Sequence, residues 1–207
     1  MNFLYNICSN TLWINLKLWC RYKIKNRDLI PKKGKMMIIS NHQSNIDAGL
    51  LGASINRDLK FPAKIELFKN PFMSFFLKSY GAFPIKRGIV DINSYRNIKK
   101  VLENKNGALS IFPEGTRVAA GEKGDYKSGC FALYKYLDIP CIPVALNSGL
   151  FWQTKGFDRK RGTIKVKFLK PIEPGLSKSD FQTVLEDRIE IATNDLLRNE
   201  NNEEKYI

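Results

Sequence analysis

His42 is the only histidine in this chain, and it sits in Asn41-His42-Gln43-Ser44-Asn45-Ile46-Asp47. Acid–base chemistry with an imidazole near neutral pH therefore has one candidate. An unperturbed imidazole titrates near pH ~6.5, so a small environmental push makes it a usable general base. Asp47, five residues on, is near enough to orient the ring. On a continuous helix five residues turn through about 500°, which leaves the two side chains about 140° apart. They pair only if the chain turns between them. A strand ending at Ser40, a loop holding His42 and a helix from about Asn45 would do this. Asp47 then accepts from one ring nitrogen and leaves the other free to take a proton. That is the Ser-His-Asp logic without the serine, and the nucleophile would belong to the substrate. The bland alternative is a structural histidine with an aspartate nearby.

A second group is Phe112-Pro113-Glu114-Gly115-Thr116-Arg117, which follows a short apolar run. Gly115 lets backbone approach a ligand closely. Thr116 offers a hydroxyl, and Arg117 a fork that suits phosphate oxygens. Glu114 can orient Arg117 or a substrate hydroxyl. The alternative is a tight strand-exit turn with a surface ion pair. Arg87, in Pro84-Ile85-Lys86-Arg87-Gly88, leaves another short apolar run. Two arginines leaving neighbouring strand ends converge on one rim, where α/β sheets bind ligands.

The elements that must position these residues can be read from hydrophobic period. Short apolar runs at 36–40, 59–64, 81–85, 108–112 and 141–146 read as strands. Helical patterns follow at 47–55, 66–80, 129–137 and 181–196, and Asp91 caps a further helix to about Asn104. Residues 163–169 alternate Ile164, Val166 and Phe168 with Lys165 and Lys167, a half-buried strand with a basic outer face. Strands alternating with helices predict an α/β fold, a mixed central sheet flanked by helices. A chain of 207 residues with 43% apolar content suits one domain with a real core.

Residues 3–24 stand apart. Leu4, Ile7, Thr11, Ile14 and Leu18 form one helical stripe, Trp13, Trp19 and Tyr22 add amphipathic aromatics, and Arg21, Lys23 and Lys25 follow. This is the pattern of a helix lying in a membrane interface. The alternative is a helix packed on the core. The expected organisation is an interfacial helical segment over 1–30 and one domain over 31–207. No run reaches the ~18–20 apolar residues of a transmembrane helix. Phe72, Phe75 and Phe76 suggest a second lipid contact, an acyl path or core packing.

The chain carries 34 Lys and Arg against 20 Asp and Glu, a formal charge of +14. Anionic lipid, phosphorylated substrate and nucleic acid all suit that excess. A nucleic-acid module would interleave aromatics with cations on one face. Here the aromatics cluster at 3–22 and 68–83 with few charges among them, so no nucleic-acid partner is expected. Cys8, Cys20, Cys130 and Cys141 show neither a CxxC pair nor metal-ligand spacing, so no metal is expected and reduced thiols are the default.

Four blocks in order carry a resemblance. Residues 41–47 resemble the NHxxxxD signature of the glycerolipid acyltransferase family. Gly81-Ala82-Phe83-Pro84-Ile85-Lys86-Arg87 resembles its second block, Phe112 to Arg117 its third, and Ile142-Pro143-Val144-Ala145-Leu146 its fourth. Two departures occur: Val118 stands where a serine often follows the arginine, and Pro84 replaces a more usual aliphatic or aromatic residue.

The nearest subgroup makes phosphatidic acid from 1-acylglycerol-3-phosphate. The resemblance implies that His42 deprotonates the hydroxyl of a lysophospholipid, which attacks an acyl thioester on coenzyme A or acyl carrier protein. Asp47 would hold the imidazole. Arg87 and Arg117, with Glu114, Gly115 and Thr116, would hold the glycerol phosphate, and Lys64 would contact phosphate or oxyanion. It further implies no bound cofactor and a membrane-associated enzyme with its site on the cytoplasmic face. Glycerol 3-phosphate, a lyso-ornithine lipid or another lysophospholipid remain open as acceptors.

Overall fold

The computed structural model describes residues 21–85, 92–152 and 159–203. Its centre is made of short runs buried on both faces: β2 (Met36–Ser40), β5 (Ala108–Ile111) and β6 (Cys141–Leu146) have every residue buried. Such runs suit parallel strands covered by helices on both sides. With β1 (Arg21–Lys25), β3 (Leu59–Lys64), β4 (Ala82–Ile85) and β7 (Thr163–Phe168) they form one sheet in the order β1-β7-β6-β2-β5-β3-β4. Strands β2 to β6 run parallel to one another. β7 is antiparallel to β6, and β1 is parallel to β7. This is the mixed, helix-flanked sheet that the alternating pattern predicts.

Alternation along β2 divides the core. Met36 and Ile38 face Leu50 and Leu51 of α1 (Asp47–Ser54), together with Ile164, Val166 and Phe168 of β7. Met37 and Ile39 face the other side, where Leu133 and Tyr134 of a later helix and Phe181, Leu185 and Ile189 of the last helix pack. We number these helices α4 (Gly129–Leu137) and α5 (Lys178–Glu203), after α2 (Pro71–Ser79) and α3 (Ile92–Val101).

Three readings change on folding. Arg21–Lys25, expected within the N-terminal helical segment, is an edge strand, followed by a 3₁₀ turn at Arg27–Leu29. The reason is period two: Tyr22 and Ile24 alternate with exposed cations and pack against the core below. The stripe from Leu4 to Leu18, with Trp13 and Trp19, lies outside the described residues, as does Asp91. Next, the basic outer face of β7 fails at Lys165, which is only 2% exposed. β7 is an inner strand and α5 packs across it. Finally, of the three alternatives for Phe72, Phe75 and Phe76, core packing falls away: they are exposed and belong to none of the three core clusters.

Candidate active site

The carboxyl ends of the five parallel strands lie along one rim: Ser40, Lys64, Ile85, Ile111 and Leu146 are their last residues. Ligands of open α/β sheets sit outside such ends. The chain leaves β2 at Ser40, turns through Asn41 to Ile46 and enters α1 at Asp47. This turn brings the pair together: His42 Nδ1 lies 2.9 Å from Asp47 Oδ2. Asp47 is fully buried, whereas the His42 side chain keeps 19% of its surface.

Asp47 is held from four directions. Its Oδ2 also accepts the backbone N–H groups of Gln43 and Ser44, each at 2.7 Å. Its Oδ1 accepts from the Ser148 hydroxyl. A buried carboxylate that collects this many donors is fixed in orientation. The imidazole is fixed by a second surface, since it stacks on Phe112 with ring centroids 4.0 Å apart and planes 16° from parallel.

The loop after β2 is pinned to its neighbours. Asn41 Nδ2 donates to Leu146 O at 2.9 Å, and Asn41 Oδ1 accepts from Leu146 N at 2.8 Å. The side chain thus continues the β2–β6 ladder after the backbone has turned away. On the other side the loop after β5 grips His42 by both backbone groups. Val118 N–H donates to His42 O at 2.8 Å, and His42 N–H donates to Glu114 Oε1 at 3.1 Å.

Glu114 is 5% exposed, and its Oε2 is buried with no hydrogen-bond partner. Gly124 closes over it: a Cβ there would meet Glu114 Cγ at 2.6 Å. Burial pushes the carboxyl up to about 7, against the opposing pull of backbone N–H groups and His42. A carboxyl raised from its ordinary 4.5 binds a proton in the folded state that the unfolded chain has already lost. Stability linked to Glu114 is therefore present below pH ~4.5 and is lost as pH rises through about 7. Glu114→Gln carries no such charge. Relative to the parent it should gain on the order of 2 kcal/mol between pH 5 and pH 8, read from urea midpoints of both proteins. Equal pH dependence in the two proteins would contradict the assignment.

The other expected residues are spread along the rim. Gly115, Thr116 and Arg117 are exposed, and Gly115 adopts φ 65°, a left-handed turn that suits glycine. Arg117 Nη1 donates to Asn45 Oδ1, which ties the third block to the first. Lys64 is exposed at the end of β3, beside Ile85 of β4. Its strand is two places from β2, about 10 Å at the usual strand spacing. Arg87 follows β4 by two residues and lies outside the described residues. No local pattern in the sequence points to Ser148 or to the clasp of Asn41. Ser148 lies 101 residues from Asp47, and only the packing of β6 beside β2 makes it a neighbour. Among the described residues, no group of three or more His, Cys, Asp or Glu side chains could hold a metal ion.

Known proteins resemble this chain. Residues 21–147 match the family model described as Acyltransferase. A 1-acyl-sn-glycerol-3-phosphate acyltransferase of Pseudomonas aeruginosa is 30% identical over 164 residues, which cover 78% of this chain and 63% of that protein. The enzyme of that name from Bacillus subtilis is 30% identical over 143 residues, covering 69% and 70%. The crystal structure of the 1-acyl-sn-glycerophosphate acyltransferase PlsC from Thermotoga maritima superposes with a TM-score of 0.77 at 18% identity, covering 93% of this chain and 79% of that one. That likeness is one of fold. The chain therefore spans just under two thirds of the Pseudomonas relative and slightly more of the Bacillus one. The matched segment runs from β1 to the end of β6 and so contains the His42–Asp47 pair and both loops that grip it, which is the ground on which this chain belongs to the acyltransferase family.

Proposed function

We propose that this protein transfers a fatty acyl group from a thioester, acyl-CoA or acyl-acyl carrier protein, to the free hydroxyl of 1-acylglycerol-3-phosphate, giving phosphatidic acid. The observation that carries the proposal is the 2.9 Å contact between His42 Nδ1 and Asp47 Oδ2. A donor bond at Nδ1 sets the tautomer in which Nε2 carries the lone pair.

The chemistry follows from that tautomer. His42 Nε2 takes the proton of the acceptor hydroxyl as its oxygen bonds to the thioester carbonyl carbon. Asp47 stabilises the imidazolium so formed. The tetrahedral intermediate collapses with cleavage of the C–S bond, and the imidazolium returns the proton to the thiolate. A thioester already carries a good leaving group, so no acyl-protein intermediate is required. Arg117, steadied by Asn45, and Arg87 bind the acceptor phosphate, with Gly115 and Thr116 beside them and Lys64 at the far end of the rim. Glu114 acts on this site through the backbone of His42. The relatives' names support the acceptor, and the excess of cations supports work at an anionic membrane, on its cytoplasmic face.

The test is an assay of purified protein with labelled acyl donor against 1-acylglycerol-3-phosphate, glycerol 3-phosphate, a lyso-ornithine lipid and lysophosphatidylcholine. Selective labelling of the first supports the proposal, and selective labelling of another overturns the acceptor. Arg117→Lys keeps the charge and loses the two-pronged contact. It should raise the acceptor KM by ~10-fold or more with the donor KM unchanged, a loss of roughly 1.4 kcal/mol or more. A rise in donor KM alone would contradict the phosphate assignment.

A further inference from the structure

On the reading just given, the acceptor is a lipid and reaches His42 from a surface. The segment that leaves β3 on the active-site rim has an unusual surface. Of the nine exposed large apolar side chains among the described residues, six (Ile65, Leu67, Phe72, Met73, Phe75 and Phe76) fall within residues 65–76. Phe72 is 78% exposed and Phe75 59%. Helix α2 buries none of its residues. Its start is secured locally instead, by Pro71 in the first turn and by Asn70 Oδ1 accepting from Met73 N at 3.1 Å. The fold thus holds an aromatic face in water, at a cost that isolated surface residues do not carry.

Two observations say what covers it. The first is charge. Lys64, Lys69 and Lys78 are interspersed with these apolar residues, and Glu66 is the only carboxylate within residues 64–78. Cations flanking aromatic side chains match an anionic headgroup layer over an acyl region. A second copy of the same face would set lysines against lysines.

The second is position. Residues 65–71 leave β3 at its Lys64 end, so the face begins on the rim that carries His42.

We propose that residues 65–76 form a membrane-docking surface that seats on a bilayer containing anionic lipid and turns the His42 rim towards it. Phe72 and Phe75 enter the boundary between headgroups and acyl chains, and Lys69 and Lys78 meet the headgroups.

The test uses the full chain and its Phe72→Ser/Phe75→Ser variant. Both side chains are mainly solvated, so the fold does not depend on them. Sedimentation with phosphatidylcholine vesicles, with and without phosphatidylglycerol, measures partitioning without any turnover. Transfer is then measured on a long-chain acceptor in the vesicles and on a short-chain acceptor dissolved in water. The variant should partition at least ~10-fold less onto anionic vesicles and lose a similar factor on the vesicle acceptor, while keeping the parent rate on the soluble one. Lys69→Glu/Lys78→Glu should reproduce the loss on anionic vesicles. Unchanged partitioning overturns the proposal. So does unchanged partitioning with a lost rate on the soluble acceptor, which would make the aromatics part of the acyl path. A variant that partitions as the parent but no longer self-associates in sedimentation velocity would assign the face to a second copy. If the parent transfers no acyl group to any acceptor, the function is wrong, yet the sedimentation arm still decides the surface.

Discussion

His42→Ala is expected to lower turnover by ~10²–10⁴-fold and to leave a folded protein. No other imidazole exists in the chain to take over. The loss should fall on kcat, because the ring acts on the proton in flight and not on the phosphate that holds the acceptor. Folding should survive for a local reason. Asp47 keeps its two backbone donors and Ser148 when the ring is removed, so no bare buried charge is left behind. The missing stack on Phe112 should cost about 1 kcal/mol. Urea unfolding confirms the fold, and single-turnover rates with labelled donor report the chemistry. A folded variant that keeps more than a tenth of the parent rate would end the general-base mechanism.

Asp47→Asn is expected to be nearly as damaging, ~10³-fold or more on kcat. The surroundings dictate how the amide sits. Gln43 and Ser44 both point N–H groups at the Oδ2 position, and an NH₂ there would face two donors at 2.7 Å. The carbonyl must take that place, which puts the NH₂ towards Ser148, whose hydroxyl can turn and accept. The imidazole therefore keeps its orientation and tautomer. What disappears is the negative charge that stabilises the imidazolium in the transition state. Acceptor and donor KM should stay close to the parent values. If both rose while kcat held, Asp47 would be a binding residue or a packing one, and the dyad would have to be abandoned.

These two expectations show which parts of the site were local. A run of apolar residues into Ser40, a polar stretch and a carboxylate at the fifth position require a turn if His42 and Asp47 are to meet, and the observed turn has the expected ends. Glu114 shows the opposite. Its neighbourhood in sequence suggested a group for Arg117 or for substrate, yet its carboxyl lies under the loop at Gly124 and receives the His42 N–H. Lys165 is a second case. Alternation placed it on an outer face, but a period of two says only that two faces exist, not whether a helix covers the second.

The sequence by itself determined the period of the elements, the alternation that divides the core and the chemistry available at each strand end. These depend on neighbours within a few positions, through backbone geometry and side-chain type. The order of the strands settled the rest. Placing β6 beside β2 delivered Ser148 to Asp47 and gave Asn41 a backbone to clasp. Placing β1 at the edge made a strand of Arg21–Lys25, and leaving α2 off the core kept Phe72 and Phe75 in solvent. Burial and hydrogen-bond partnership are properties of pairs distant in the chain, and no local pattern contains the distance between them.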